Sequence, residues 1–490
     1  MMTSENPTSL HRDVRLVPKG MMKPFVLLTS LFFLWAIPNN MTDTMLAAFK
    51  RIMSLSDSQT AWIQVVCYLL GYGCFAIPGA IFIKKHTYKA GVLLGLGCCT
   101  VGSLLFYPAM LANEISSSLS FATYLFAIFI LFAGLSVLET STNSYVYSLG
   151  DPLTATRRLN LAQSFNPFGA VTGVILSQIF VLSQLNTLTA HERSLLSAGE
   201  LQSIQASELQ AVTGIYLFLG LLMAVILLSI LFTTMPAHKE GRKSLDLRGS
   251  FHRLRKNKNY RRGVIAQFFN IGAQISVWSF TIRYAMQELR LDDLVQSMGA
   301  NPSSQEIIDT LRHVEPLGAG FYNVCEALEL DALLPRTAEQ AGATYYILSL
   351  VLFVLGRFIC TWLMKYIKPA RLLSIIALLA VACTLTTIYA GGAIGVYALM
   401  GISGCLSLMF PTIYGLGLRG LGDDTKIGGS GMVMAIAGAA ILTQIQGILS
   451  DSSGSIRMAY WVPAFAFIVI AWYSLTVRDD KDLPPHLSAQ

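Results

Sequence analysis

Read as a pattern of apolar and polar positions, the chain is a series of long apolar runs joined by short polar connections. An apolar run of about 20 residues is long enough to cross a bilayer as a helix. Twelve runs qualify, at roughly 22–49, 60–83, 89–112, 119–148, 160–183, 212–234, 261–288, 343–364, 370–390, 394–418, 429–449 and 458–477. The pattern therefore predicts an all-α integral membrane protein with twelve transmembrane helices. The first run follows a basic stretch, but it is too long for a signal peptide and lacks a small-residue cleavage site, so it reads as a retained helix.

Polar residues within the runs are unevenly shared. Helices 3, 6, 9 and 12 hold no Asn, Gln, Asp or Glu, so every third helix is dry. Helix 1 carries Asn39, Asn40 and Asp43, and helix 4 carries Glu139 and Asn143. Helix 5 carries Asn160, Gln163 and Asn166, and helix 7 carries Gln267, Asn270 and Gln274, followed by Trp278. Within each helix these positions step by three or four, which places them on one face. A polar residue at membrane depth is costly and marks an interior cavity or interhelical glue. Four helices with stripes of the same kind favour a shared polar cavity. Three-helix units repeated four times, with the third helix against lipid, would give the dry–wet pattern; that is the arrangement of a transporter with inverted repeats. Gly134, Ser136, Tyr147 and Gly150 also match Gly401, Ser403, Tyr414 and Gly417 at a constant spacing of 267 residues. Pro38, Pro167 and Pro411 fall inside helices 1, 5 and 10, where each removes a backbone hydrogen bond.

Charge adds the orientation. With the N-terminus inside, the cytoplasmic segments hold 26 Lys+Arg and 10 Asp+Glu, and the outer loops hold 7 and 16. The positive-inside rule then places both termini in the cytoplasm. The longest cytoplasmic connection is basic and divides the chain: tail 1–21, six-helix half 22–234, linker 235–260, six-helix half 261–477 with an outer insertion at 289–342, and tail 478–490. The linker reads as a topology anchor. The insertion is acidic, with helix-like stretches SSQEIIDTLRHV and ALELDALL.

Composition sharpens what is excluded. Only 13% of the 490 residues are charged, about half the share in soluble proteins, and 53% are hydrophobic. An ordinary cytosolic enzyme or a nucleic-acid-binding module does not look like this. The formal charge of +7 is spread over loops rather than gathered on one face. All seven histidines lie in tails or loops, which gives no metal cluster. No GxxxxGK[ST] or GxSxG sequence occurs. No enzymatic activity, metal or cofactor is expected.

Asp43 and Glu139 are the only acids at membrane depth. A carboxyl there favours its neutral form and can exchange a proton, which is what proton coupling needs. The other reading is an ion pair with Arg283, near the outer end of helix 7, or Arg357, which reads as a loop anchor near the inner end of helix 8. Amide-rich stripes suit a neutral solute with many hydroxyls, since amides both donate and accept. Trp278 reads either as a stacking surface for a sugar ring or as an interfacial belt residue.

The segments FFLWAIPNNMTD (32–43), LETSTNSYV (138–146), RRLNLAQSFNPFGA (157–170), AQFFNIGAQISVWS (266–279) and PTIYGLGLRGLGDDTK (411–426) together resemble the major facilitator superfamily and, within it, the fucose–proton symporter family. The resemblance implies proton-coupled import of a neutral monosaccharide by alternating access. It implies coupling roles for Asp43 and Glu139, and sugar contacts from Asn40, Asp43, Gln163, Asn166, Gln274 and Trp278. Asn270 and Asn143 join them as expected contacts, although Asn270 stands where the family usually has an aromatic. Ser144 replaces the proline that commonly follows the helix 4 Asn. The expected form is a monomer in the lipid of a bacterial inner membrane, with the sugar and a proton as its partners. A glucose/galactose-type hexose symporter is the nearest alternative, ahead of a drug–proton antiporter or a sugar sensor.

Overall fold

The computed structural model describes residues 16–18, 20–53, 62, 63, 65–181, 193, 196–235, 247–291, 293, 294, 303–314, 316–328, 330, 334, 335 and 338–477. The Asp43 side chain, Gln64, the tails 1–15 and 478–490, linker residues 236–246 and loop residues 295–302 lie outside the described residues.

Twelve helical spans follow in order. Helix 1 is Met22–Ile52. Helix 2 is Val65–Gly73, wound as a π-helix, continued by Cys74–Lys85. Helix 3 is Tyr88–Leu104 with Phe106–Leu111, and helix 4 is Ser117–Ser148. Helix 5 is Ala155–Gln163 and Asn166–Phe180, and helix 6 is Ala198–Leu231. A linker helix, Leu247–Lys256, leads into helix 7, Lys258–Glu288. Ser304–Val314 and Pro316–Ala327 are short helices of the outer loop. Helix 8 is Ala338–Leu363, helix 9 Pro369–Tyr389 and helix 10 Gly392–Gly417. Helix 11 is Thr425–Met434 and Gly438–Ser453, and helix 12 is Ile456–Ala459 and Trp461–Thr476.

Ten of these are long and apolar enough to cross a membrane by composition alone. The other two are helices 5 and 7. Helix 5 is interrupted at Ser164 and Phe165, just before Asn166-Pro167, and helix 7 is diluted by Gln267, Asn270 and Gln274. These are two of the helices the sequence marks as wet.

One boundary differs clearly from the hydropathy pattern. Helix 6 begins at Ala198, about four turns before its apolar run. A capping box secures that polar start, with Ser197 and Glu200 bonding each other's backbone N–H. Helix 6 is therefore not dry throughout: Glu208 is buried and paired with Arg193, and Gln205 Nε2 donates to Ile52 O at 2.8 Å. In the outer loop the first expected helix is present at Ser304–Val314 and a further helix at Pro316–Ala327; residues 329 and 331–333 of the second expected stretch, ALELDALL (327–334), lie outside the described residues. The further helix docks through the Tyr322 hydroxyl, 2.6 Å from Thr344 Oγ1.

Two apolar cores hold the bundle. One is built by helices 1–6 and takes in Phe410, Tyr414, Met432 and Ile436 from helices 10 and 11. The other is built by helices 7–10 and 12, with Leu442 of helix 11 and Ile307, Ile308 and Leu311 of the outer loop. Helices 3 and 4 pack closest where glycine permits it: a Cβ on Gly102 would lie 2.5 Å from Leu131 N. Helices 3, 6, 9 and 12 turn apolar faces outward, among them Val101, Leu221, Leu378 and Phe465.

At the end that carries the linker, the first six helices meet the last six through polar contacts. Ser144 and Tyr414 hydroxyls lie 3.0 Å apart, and Asn160 Nδ2 donates to Thr412 Oγ1 at 3.3 Å. The Lys426 ammonium sits 4.8 Å over the Tyr88 ring. Arg253 of the linker helix forks onto Asp424 at 2.7 and 2.9 Å, while Lys84 of helix 2 donates to Ser250 at 2.6 Å. Arg158 is fully buried and donates to Val146 O and Tyr147 O, capping carbonyls at the end of helix 4.

A polar cavity between the first and last six helices

Midway along the bundle, one cavity opens between helices 1, 2, 4 and 5 on one side and helices 7, 8, 10 and 11 on the other. Asn39, Asn40, Glu139, Gln163, Asn166, Gln274 and Arg357 supply its polar wall. Trp35, Tyr68, Trp278, Phe353 and Phe410 supply its aromatic wall. Its volume is about 110 Å³, several times the roughly 10–15 Å³ that one water needs. No lining residue comes from helices 3, 6, 9 or 12.

The polar side chains are held by local structure. Asn40 Nδ2 donates to Ala36 O at 2.8 Å within helix 1. Asn166 opens the second segment of helix 5 and donates to Phe32 O of helix 1 at 3.2 Å. Gln163 closes the first segment. Its Nε2 donates to Asn143 Oδ1 at 2.7 Å, while its backbone O and Oε1 accept from Arg357 Nη1 at 3.3 and 3.4 Å. Trp278 Nε1 donates to Ser403 Oγ at 3.3 Å, and its ring meets Phe353 edge-on at 5.2 Å. Trp278 is half-buried and sits in the cavity wall.

Glu139 is 7% exposed. No Lys or Arg nitrogen lies within 4 Å of its carboxyl among the described residues. The Tyr72 hydroxyl and Asn143 are its polar neighbours. The ion pair weighed for Glu139 on sequence grounds is therefore absent from the described contacts. Arg283 is exposed and lies over the Phe280 ring at 5.5 Å. Arg357 also departs from its reading as a loop anchor: it is 3% exposed, lines the cavity and lies 5.0 Å over the Phe353 ring.

Of the expected contacts, Asn40, Gln163, Asn166, Gln274 and Trp278 line the cavity together with Glu139. Asn143 lies one turn beyond Glu139 and supports Gln163 from behind. Asn270 is fully buried off the cavity face, with neither amide atom hydrogen-bonded among the described residues. The cavity face of helix 7 runs through Ile271, Gln274, Ile275 and Trp278, so Asn270 falls at its edge. Asp43 is in helix 1, but its side chain lies outside the described residues. Sequence reasoning missed Arg357, Trp35 and Tyr68. The signal for Arg357 was its place inside an apolar run beside Gly356, too deep for a loop.

A dozen membrane spans around a central polar cavity, with every third helix outside, define a secondary transporter by fold and site. The model of the Major Facilitator Superfamily matches residues 28–426, and the chain belongs to that superfamily and, within it, to the fucose–proton symporter family. It is 34% identical over 475 residues to the L-fucose-proton symporter of Haemophilus influenzae, covering 94% of this chain and 98% of that protein. The Glucose/galactose transporter of Brucella abortus is 28% identical over 450 residues, covering 91% and 92%. A crystal structure of the E. coli Fucose:proton symporter superposes with a TM-score of 0.76 at 33% identity, covering 94% of this chain and all of that one.

Proposed function

We propose that this protein imports a neutral monosaccharide, L-fucose, together with a proton. The observation that carries the reading is the cavity itself: amides from helices 1, 5 and 7 around a buried carboxyl with no Lys or Arg nitrogen within 4 Å among the described residues. Amides on opposite walls can donate to and accept from sugar hydroxyls, and Trp35 and Trp278 offer flat apolar faces for a ring. The fucose-type relative is also more similar than the glucose/galactose-type one.

In this reading the halves 22–234 and 261–477 rock about the cavity. Glu139 takes and releases the proton. Asp43, one turn beyond Asn40 on helix 1, couples sugar to proton. Asn40, Gln163, Asn166, Gln274 and Trp278 contact the sugar, with Asn143 behind Gln163 and Asn270 at the edge. Both termini face the cytoplasm of a bacterial inner membrane, and the monomer suffices. One charge moving inward down 100 mV supplies about 2.3 kcal/mol, which supports a roughly 50-fold gradient of a neutral solute.

Uptake of a panel of labelled monosaccharides into proteoliposomes, with and without an acid-outside gradient, tests the reading. L-Fucose should accumulate only with the gradient. Preference for glucose or galactose would move the protein to the neighbouring hexose group, and uptake indifferent to pH would end the proton reading.

A further inference from the structure

The basic connection between helices 6 and 7 is more than a tether. The linker helix Leu247–Lys256 has two faces. Leu254 is buried against the bundle, and Ser250 accepts from Lys84 on the same side. The opposite face carries His252, Arg255 and Lys256, after which the chain turns at Asn257 into helix 7, whose first turn bears Lys258 and Arg261. Those five exposed side chains line one concavity of about 310 Å³. No carboxylate borders it, and none of the five is ion-paired among the described residues. Arg253, by contrast, points elsewhere and is matched by Asp424. The free N–H groups at the start of helix 7, where Asn257 caps Tyr260 N at 3.0 Å, add to the positive field.

The depth of the concavity indicates what fills it. Arg262, next to Arg261, lies over the Trp472 ring at 5.2 Å, and Trp472 is 47% exposed on a helix whose outer face carries Phe465 and Ile468. A half-exposed Trp beside an Arg at the end of an apolar span marks the headgroup level of a membrane. Phe251, next to His252, is 41% exposed and gives the linker helix an apolar foot at that level.

We propose that this concavity binds the phosphate headgroup of an anionic phospholipid in the leaflet on the linker's side. Arg255, Lys256, Lys258 and Arg261 hold the phosphate oxygens, and Phe251 packs at the acyl boundary. The other face of the linker helix is tied to Lys84 of helix 2 and, through Arg253, to Asp424 before helix 11. A lipid held here therefore sits on an element that bridges the first and last six helices at their joined end. The inference stands apart from which sugar is carried.

The test uses the full-length protein in detergent, incubated with phosphatidylglycerol or phosphatidylcholine and weighed intact by native mass spectrometry. Phosphatidylglycerol should be retained at least about tenfold better, and a photoactivatable form should label residues between 251 and 262. R255Q/K256Q and K258Q/R261Q should each lose at least about tenfold in retention, since each Lys or Arg near an anionic surface is worth about fivefold. Equal retention of the two lipids, or labelling elsewhere, overturns the proposal. So does complete displacement by inorganic phosphate at constant ionic strength, which would make this a soluble-anion site. The lipid preference and the labelling use the unaltered chain, so they decide the matter even if a variant fails to fold.

Discussion

Arg357 and Gln163 join the two sides of the cavity through a carbonyl that a proline has set free. Within a helix the N–H of residue 167 would bond to the carbonyl of residue 163, but Pro167 has no N–H. The Gln163 carbonyl accepts instead from Arg357 Nη1 of helix 8, at 3.3 Å. The break in helix 5, the freed Gln163 carbonyl and the buried guanidinium are thus one construction.

Removing the guanidinium should separate the two sides. Hydrogen bonds to a charged group contribute about 1.5–3 kcal/mol each, or roughly 10- to 150-fold in affinity. Arg357→Ala should cut labelled-sugar exchange at least about tenfold, and Arg357→Lys should recover part of it. Pro167→Ala restores a competing N–H and should weaken exchange less than Arg357→Ala does. Exchange at the parent rate in Arg357→Ala would show that the bridge is dispensable.

Glu139→Gln should separate exchange from accumulation. Glutamine mimics the protonated acid but cannot release a proton. The variant should swap labelled for unlabelled sugar across the membrane yet fail to concentrate sugar when the outside is acidified. Accumulation at the parent level would remove Glu139 from the coupling step, and loss of binding in a folded variant would make it a sugar ligand.

Asp43→Asn should lose both accumulation and most sugar binding, because position 43 follows Asn40 by one turn. Calorimetry on purified protein decides; an unchanged sugar affinity would confine Asp43 to the proton.

At Asn270 a gain in stability is expected to come with a loss of sugar binding. Its amide is fully buried with no hydrogen bond among the described residues, a situation that costs about 1–3 kcal/mol per group. Asn270→Leu should raise the melting temperature while lowering sugar affinity by less than a change at the lining residue Gln274 does. A more stable variant that binds sugar as before would reduce Asn270 to a packing residue.

The Arg193–Glu208 pair is buried on both sides, at 3% and 1% exposure. Glu208→Gln deprives Arg193 of its carboxylate and should destabilise by about 3–5 kcal/mol, whereas replacing both with Met and Leu should be nearly neutral. Thermal denaturation of the single and double variants checks this; a harmless single change would mean that the pair is incidental.

Membrane hydropathy made the twelve spans legible, because a helix that crosses lipid must be apolar over a sufficient length. It failed where a helix continues beyond the apolar slab: residues 198–211 look like a polar loop, and only the Ser197–Glu200 cap and the buried Glu208 reveal a helix. The amide and acid stripes pointed to helices 1, 2, 4, 5, 7 and 11, but not to helices 8 and 10, whose runs 343–364 and 394–418 hold no Asn, Gln, Asp or Glu and yet bring Phe353, Arg357 and Phe410 to the cavity. Nor did they resolve which side of a wet helix lines it. Gln267, Asn270 and Gln274 share a stripe, yet only Gln274 lines the cavity. Gln267 lies about two turns below it, donating to Phe410 O at 3.5 Å. Three- and four-residue spacing gives a common face but neither its depth nor its neighbour. Arg357 was misread for the same reason, since a cation close to a span end is placed by what packs around it.

The π-wound stretch Val65–Gly73 has one further consequence. Its bonds reach one residue farther than those of an α-helix, so it carries slack. Taking up one residue of that slack rotates the side chains beyond it by about 100° without tilting the axis. Tyr68, on the cavity wall, and Tyr72, beside the Glu139 carboxyl, both lie within the stretch. Rewinding a turn of that stretch would therefore turn these two side chains relative to the carboxyl without requiring helix 2 to swing.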